Sequence, residues 1–302
     1  MKGYNSNITI RIPNDKDVKV NITTESKSHI IHTSDIKRKS ATELIKESVN
    51  EMDTLRIIKK YIENGRMSRL DFISSLNESI KKDYFVISEL LINSSLDVVS
   101  YKDEKNRTFL HSASAKNLGI CKLLIQRGAD INAKTDSGNT PLHLAIIQNK
   151  IEVAELLMDK DANISFKNKD GYTPLQLCAM KNNLDLFISL LENGADPELK
   201  SDCGNNCLHL AVLNNSQNIV YRILKYHNMD INAKNDKGCS PIKLAKDKLI
   251  YNLLIENGAY AEVNIKISSQ NLYSHKDLEL YRILGLSLIS LFIISFLYET
   301  LR

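Results

Sequence analysis

Three histidines recur at the same position of a repeating local sequence, and a regular row of imidazoles could in principle hold metal. His111, His143 and His209 stand in similar local sequences. Imidazole is a common zinc ligand, and a structural zinc site needs four ligands within reach of one ion. Gln176 and Lys243 take the corresponding places in two further copies. Because these residues interrupt the row, we predict no shared metal site.

Cysteine chemistry is the second possibility. Cys203 and Cys207 are four positions apart, but no second pair of Cys or His completes a zinc set. The chain has 5 cysteines, and this odd number, without an N-terminal signal peptide, predicts reduced thiols in a cytosolic setting. His29 and His32 lie in a polar stretch without a partner motif, so we expect an exposed strand there.

We find no catalytic motif in the sequence. It contains no Gly-rich phosphate loop and no G-x-S-x-G elbow. The net charge is only +4, and both signs alternate along most segments, whereas nucleic-acid binders concentrate Lys and Arg on one face. We therefore predict no enzyme activity, no cofactor, no small-molecule substrate and no nucleic-acid partner.

The segments that carry the histidines repeat with a period near 33 residues. Leu110, Leu142, Leu175, Leu208 and Ile242 recur at steps of 32, 33, 33 and 34. Around them the sequence reads RTFLHSA, NTPLHLA, YTPLQLC, NNCLHLA and CSPIKLA, and each copy is followed by a second apolar run. A fixed period of this length indicates stacked supersecondary units.

Each copy carries the signals of a helix pair. Thr140 can cap a helix, and Pro141 suits its first turn, where a missing N–H costs nothing. Gly128 and Gly194 follow the second apolar run, where a left-handed C-cap favours glycine. One helix pair cannot bury its apolar face alone, but stacked copies share a continuous core.

The five copies resemble the ankyrin repeat, whose pattern is G-x-T-P-L-H-x-A followed by a helix ending in L-L-x-x-G-A-D. The resemblance implies an all-α solenoid of stacked helix pairs with short β-hairpin finger turns. It also implies that the recurring histidine makes structural hydrogen bonds near the helix start. The segments we expect are a loosely ordered or β-hairpin arm at 1–40, degenerate repeat-like helices at 41–102, ankyrin repeats at 103–260, a linker at 261–280 and a hydrophobic helix at 281–299.

The N-terminal arm and the C-terminal run differ from the repeats. Residues 8–12 and 18–22 alternate apolar and polar side chains as strands do, with a possible turn near 13–15. Residues 283–298 contain no charge, and with Tyr281 the run just reaches the roughly 17 residues that a membrane-spanning helix needs. We expect a tail anchor that keeps the repeats in the cytosol. The other interpretation is a helix that caps the last repeat.

Ankyrin partners usually contact the finger tips and the exposed side of the first helix. The resemblance assigns a protein-binding role at the tips to Asp136, Ser137, Asn139, Lys169, Asp170, Tyr172, Asp202 and Asn205, and at the first helices to Ile147, Gln148, Met180, Lys181, Leu213 and Asn214. Two functions follow as hypotheses. One is a membrane-tethered scaffold that binds a protein, and the other is a soluble adaptor or effector whose last helix caps the fold or docks a partner.

Overall fold

The computed structural model describes residues 19–20, 31–32, 39–48, 50–65, 67–95, 98–226 and 229–260. In these residues the chain forms α-helices in seven consecutive pairs. They are α1 Ala41–Glu47, α2 Glu51–Glu63, α3 Arg69–Lys81, α4 Phe85–Ser94, α5 Phe109–Ser114, α6 Leu118–Gln126, α7 Pro141–Ile147, α8 Ile151–Asp159, α9 Pro174–Lys181, α10 Leu184–Glu192, α11 Cys207–Leu213, α12 Gln217–Tyr226, α13 Pro241–Leu244 and α14 Lys248–Glu256.

The first helices of three repeats begin at a capping box. The side chains of Thr108, Thr140 and Thr173 accept a hydrogen bond from the backbone N–H three residues later. In return, the side chain of that third residue bonds the backbone of the cap. Pro141 and Pro174 occupy the first turn, as predicted. This arrangement satisfies backbone groups that every helix start leaves open.

The second helices α6, α8 and α10 end where the backbone turns left-handed. Gly128 and Gly194 have φ of +83° and +86°, which costs glycine little because it has no Cβ. Asp161 takes the same place in the repeat between them, with φ of +61°. The helices α6, α8 and α10 are therefore followed by the same backbone turn, whereas Ser95 after α4 is extended.

The helix pairs stack in two layers. Each first helix packs on the next first helix, in the order α1, α3, α5, α7, α9, α11 and α13. Each second helix likewise packs on the next second helix, from α2 through α14. Since neighbouring copies make the packing contacts, the core is a continuous band along the stack, as expected for a solenoid.

The repeated leucine lies at the centre of this band. Leu110, Leu142, Leu175 and Leu208 are fully or almost fully buried, and Ile242 replaces them in the last copy. Small residues such as Ala145 and Ala211 are also buried between the helices, where they allow close packing. The burial of each large apolar side chain contributes about 1.5–3 kcal/mol.

The two ends of the stack are less regular. At the start, α1 to α4 form two further helix pairs that extend the core through Ile58 and Leu76. At the other end, α13 has only four residues. Within the arm, Lys19–Val20 pairs antiparallel with Ile31–His32. The expected strand at residues 8–12 lies outside the described residues.

Candidate partner-binding face

The turns between repeats form finger-like loops of common geometry. The backbone N–H of Thr135, Asn168, Ser201 and Asn235 each donates to the carbonyl oxygen four residues later, at 2.8–3.0 Å. These loops are tight turns, and no β-strand occurs within residues 98–226 and 229–260. The resemblance had implied β-hairpin fingers. The fingers are joined by isolated backbone bonds, and such contacts are too few to form a strand ladder.

Neighbouring fingers touch through both backbone and side chains. The Asp136 N–H donates to Lys105 O at 2.9 Å, and the Lys169 N–H donates to Ser137 O at 2.9 Å. Side-chain amides continue this contact, since Asn168 Nδ2 donates to Asn139 Oδ1 at 3.0 Å. These bonds fix the spacing of the finger tips, so the tips form a rigid row.

The predicted tip and helix residues differ in their exposure to solvent. Asn139, Ile147, Tyr172, Met180 and Asn205 are half-buried. The exposed members are Asp136, Ser137, Gln148, Lys169, Asp170, Lys181, Asp202, Leu213 and Asn214. The side chains of the exposed set are therefore accessible from solvent, whereas those of the half-buried set also pack within the repeats.

Several of these residues are already engaged inside the stack. Asn139 Oδ1 accepts from Asn168, and Asn205 Oδ1 accepts from Asn235 Nδ2 at 2.8 Å. Asp136 Oδ1 accepts from Asn106 Nδ2 at 2.6 Å. These amide and carboxylate groups hold the fingers together, so a partner would have to share their hydrogen bonds.

An apolar row runs along the ends of the first helices. Ile147, Met180 and Leu213 occupy the same place in α7, α9 and α11, which pack side by side. Ile147 and Met180 also pack against the core, while Leu213 is 45% exposed. The exposed polar residues Gln148 and Lys181 directly follow two members of the row. An apolar strip with a polar edge is a typical feature of a protein interface.

The histidine row is structural, as the resemblance implies. His143 Nε2 lies 3.2 Å from Tyr172 O of the next finger, and His111 Nε2 lies 3.1 Å from Asn139 O. Burial is the main cause that lowers the pKa of His143 to about 4. Burial also lowers the pKa of His111. Each ring therefore bonds one repeat to the next.

The thiols of the repeats differ in exposure. Cys121, Cys178 and Cys207 are buried, Cys239 is half-buried and Cys203 is exposed. Burial raises the pKa of the Cys121 thiol to about 12 and raises the pKa of the other two buried thiols as well. Across the described residues no group of three or more His, Cys, Asp or Glu side chains could hold a metal ion.

Within the described ranges, no helix is both long and apolar enough to cross a membrane. Residues 281–299, for which the sequence predicts a tail anchor, lie outside those ranges.

Sequence reasoning missed the side-chain bonds between fingers. The two bonded pairs are Asn139 with Asn168 and Asn205 with Asn235. The members of each pair stand at different positions of their turns, so they meet only because one turn stacks on the next. The signal that could have revealed them is an asparagine at the first turn position of one copy, facing an asparagine at the last turn position of the copy before it.

Comparisons with known families agree with this architecture. A family model described as "Ankyrin repeats (3 copies)" matches residues 133–201. One described as "Ankyrin repeats (many copies)" matches residues 181–245, and "Ankyrin repeat" matches residues 105–136. No curated protein sequence matches the chain. The matched residues form the fingers, the histidine row and the helices from α5 to α13, and over residues 105–245 the chain therefore belongs to the ankyrin-repeat family.

Proposed function

We propose that this chain is a non-enzymatic adaptor that captures a protein partner on the face made by the finger tips and the first helices. The observation that carries the proposal is the apolar row of Ile147, Met180 and Leu213. Its most exposed member, Leu213, leaves apolar surface in water without a packing partner on that side. Covering such surface is the main favourable contribution in most protein associations.

The surroundings of the row suit a specific interface. Gln148, Lys181 and Asn214 follow the three apolar residues and are exposed, so hydrogen-bonding groups of both kinds border the row. Apolar side chains at the centre with polar groups at the edge are the usual anatomy of a protein–protein contact. The rigid finger tips would add polar contacts at little cost in conformational entropy.

Membrane attachment has less support than the adaptor function. The matched ankyrin repeats support an interaction module and give no support of their own for membrane attachment. We therefore favour the adaptor over the tail-anchored scaffold. The sequence of residues 283–298 still makes the anchor testable. If the full chain sediments with membranes and only detergent releases it, the anchored scaffold is correct. Release by salt or carbonate alone favours the adaptor.

The binding face is tested by a double variant. Met180→Gln with Leu213→Gln makes the row polar, and we expect partners captured by cross-linking from a cell extract to decrease by about tenfold or more. The matched control is Tyr221→Gln with Leu249→Gln, since these side chains are 47% and 61% exposed on second helices. Circular dichroism and thermal unfolding verify that both variants fold.

The comparison between the two variants decides the outcome. Loss of the same captured proteins in the row variant, but not in the control, supports the proposed face. Unchanged capture by a folded row variant places the interface elsewhere. Equal loss in both variants would indicate non-specific apolar adsorption and would also contradict the proposal.

A further inference from the structure

Four side chains bridge consecutive repeats from the same place in the first helix. His111, His143, Gln176 and His209 each direct a nitrogen at a backbone carbonyl oxygen of the following finger. The four nitrogen–oxygen distances to Asn139, Tyr172, Asn205 and Cys239 are 3.1, 3.2, 3.3 and 3.0 Å. A carbonyl oxygen can only accept, so each of these nitrogens must carry a proton.

In the two threonine-capped repeats, the other ring nitrogen must be an acceptor. The backbone N–H of Thr108 donates to His111 Nδ1 at 3.1 Å, and the backbone N–H of Thr140 donates to His143 Nδ1 at 3.2 Å. A backbone N–H can only donate, so Nδ1 must accept with its lone pair and carries no proton. The hydroxyls of Thr108 and Thr140 lie 2.9 and 2.8 Å from the same two nitrogens and can donate their protons to them. Both histidines are therefore held as the neutral ring with its proton on Nε2.

The third repeat has the same arrangement of one acceptor and one donor in Gln176, whose side chain cannot titrate. Gln176 Oε1 accepts from the backbone N–H of Thr173 at 2.9 Å. Gln176 Nε2 donates to Leu199 O at 2.7 Å as well as to the finger carbonyl of Asn205. One acceptor and one donor are thus what a threonine-capped repeat requires at this place.

The fourth repeat has asparagine in place of threonine at the helix cap, and this changes what the Nδ1 atom of its histidine faces. Asn206 Oδ1 accepts from the backbone N–H of His209 at 3.1 Å. This contact identifies the side-chain atom as the oxygen, because its NH₂ group could not accept. The same oxygen lies 2.6 Å from His209 Nδ1. Both ring nitrogens of His209 therefore face oxygen acceptors.

We propose that His209 is a pH-responsive link between the fourth and the last repeat, which binds a second ring proton at a pH where His111 and His143 are still neutral. The doubly protonated imidazolium is the form of histidine with two donors, and it satisfies both Asn206 Oδ1 and Cys239 O. The neutral ring carries a proton on only one nitrogen, so one of the two oxygens receives no hydrogen bond from it.

The groups around His209 act in opposite directions. Burial is the largest influence and lowers the pKa of His209, and the Lys200 ammonium lowers it further. The carbonyl oxygens of Cys239 and Ala233 and the Asp230 carboxylate raise the pKa. The second proton therefore binds below the pH at which a free histidine is protonated. Its binding is still easier than in His143, whose Nδ1 faces a donor.

The link matters because Cys239 precedes the cap of the shortest first helix. Ser240 is the N-cap of α13, a helix of four residues, and makes no side-chain capping bond. The last repeat thus has weaker local support than the repeats before it. A charge-assisted hydrogen bond to Cys239 O is stronger than a neutral one, but it does not fully offset the burial that lowers the pKa of His209. An opened last repeat, in which the ring is exposed, therefore takes up the proton first, so acid loosens the attachment of α13 and α14.

The titration of the three rings in the full-length chain tests the proposal. Long-range ¹H–¹⁵N NMR spectra report the protonation of each ring nitrogen between pH 8 and pH 4. We expect His209 to gain its second proton at a higher pH than both His111 and His143. The proposal is overturned if His209 titrates at the same pH as His143 or at a lower one.

The cap residue provides matched variants. Asn206→Thr replaces the acceptor oxygen beside Nδ1 with a hydroxyl that can donate to this nitrogen, as the Thr140 hydroxyl can to His143, so His209 should become a neutral ring that titrates like His143. Thr140→Asn makes the opposite change, and His143 should then gain its second proton at a higher pH than in the native chain. Unchanged titration in a folded Asn206→Thr chain refutes the role of Asn206. If that variant does not fold, Asn206→Ser serves the same purpose, and the native titration decides alone.

Hydrogen exchange tests the consequence for the last repeat. After correction for the intrinsic pH dependence of exchange, amides of Pro241–Glu256 should lose protection in the native chain as the pH falls below the ordinary pKa of histidine, because the opened repeat takes up the proton first. The loss should be larger in Asn206→Thr, whose closed form resists the second ring proton more strongly. A loss of equal size in both chains would show that His209 does not control this attachment.

Discussion

At the residue scale, the direction of each hydrogen bond explains which side chains the inter-repeat position accepts. The capping threonine offers a backbone donor, and the next finger offers a carbonyl acceptor. Neutral histidine and glutamine both match this pair, as His143 and Gln176 show. The glutamine that interrupts the row of histidines in the sequence is therefore an equivalent structural element.

Acid should weaken the link made by His143. Burial lowers its pKa from 6.5 in the unfolded chain to about 4 in the folded one. The contribution is therefore fully present above pH 6.5, and it is lost as the pH falls towards 4, because the unfolded chain takes up the proton first. The loss by pH 4 is about 3 kcal/mol. Urea unfolding at several pH values measures it.

The control for this prediction is His143→Gln, which keeps one donor and one acceptor but cannot titrate. We expect the variant to lose less unfolding free energy than the native chain between pH 7 and pH 4.5. An equal loss in both chains would attribute the acid sensitivity to carboxylates elsewhere.

Thiol labelling should follow exposure. Cys203 should react first with a maleimide, and Cys239 should react next, because it is half-buried. Cys121, Cys178 and Cys207 should react only when the chain opens, since burial raises their thiol pKa values and excludes the reagent. Mass spectrometry of peptides after timed labelling measures the order. Rapid labelling of Cys178 in the folded chain would contradict the packing described.

At the scale of elements, Gly171 and Gly194 distinguish two costs of adding a side chain. One is the strain of a left-handed backbone, and the other is a clash with the neighbouring finger. Gly171 has φ of +78°, and a Cβ there would lie 2.7 Å from the backbone nitrogen of Asp202 in the next finger. Gly194 has φ of +86°, but a Cβ there would meet nothing within 4 Å. Gly194→Ala should therefore cost only the left-handed backbone strain, about 1–2 kcal/mol.

Gly171→Ala should cost more than Gly194→Ala, by about 1–3 kcal/mol, because the neighbouring finger must move. Chemical denaturation of the two variants and the native chain gives the difference. Equal destabilisation would mean that the fingers shift apart without penalty, and the rigid row of tips described above would then be incorrect.

Local signals in the sequence predict these elements well where their chemistry is local. A threonine cap, a proline in the first turn and a glycine after the second helix each act within a few residues, and the helix starts at Pro141 and Pro174 follow from them. Contacts between copies could not be predicted in the same way. The pairing of Val20 with Ile31 and the asparagine bonds between fingers depend on how distant segments meet.

The candidate face could be predicted only in part, for a related reason. The repeat period correctly places Leu213 at an exposed position, because side-chain direction follows from the place in the helix. The engagement of Asn139 and Asn205 within the fingers depends on the residue in the next copy. Partner identity depends on the shape of the whole face, which local patterns do not specify.

At the scale of the whole molecule, packing between neighbouring copies makes the stack quasi-one-dimensional. A repeat in the middle has a neighbour on both sides, as α10 packs on α8 and α12. In the described chain, the last helix α14 packs on α12 and α13. Stability is then approximately a sum of repeat and interface contributions, so the position of a defect determines how far its effect extends.

Two buried residues can test this property. Phe187 in α10 and Ile250 in α14 are both fully buried. Phe187→Ala removes packing in the middle of the stack and should cost about 3–5 kcal/mol. By hydrogen exchange, we expect protection to fall in the copies on both sides, Pro141–Asp159 and Cys207–Tyr226. Ile250→Ala should reduce protection mainly within Pro241–Glu256, because an end repeat can open without its neighbours. If both variants lowered protection uniformly from Ala41 to Glu256, the stack would unfold as one cooperative unit, and the nearest-neighbour description would be wrong.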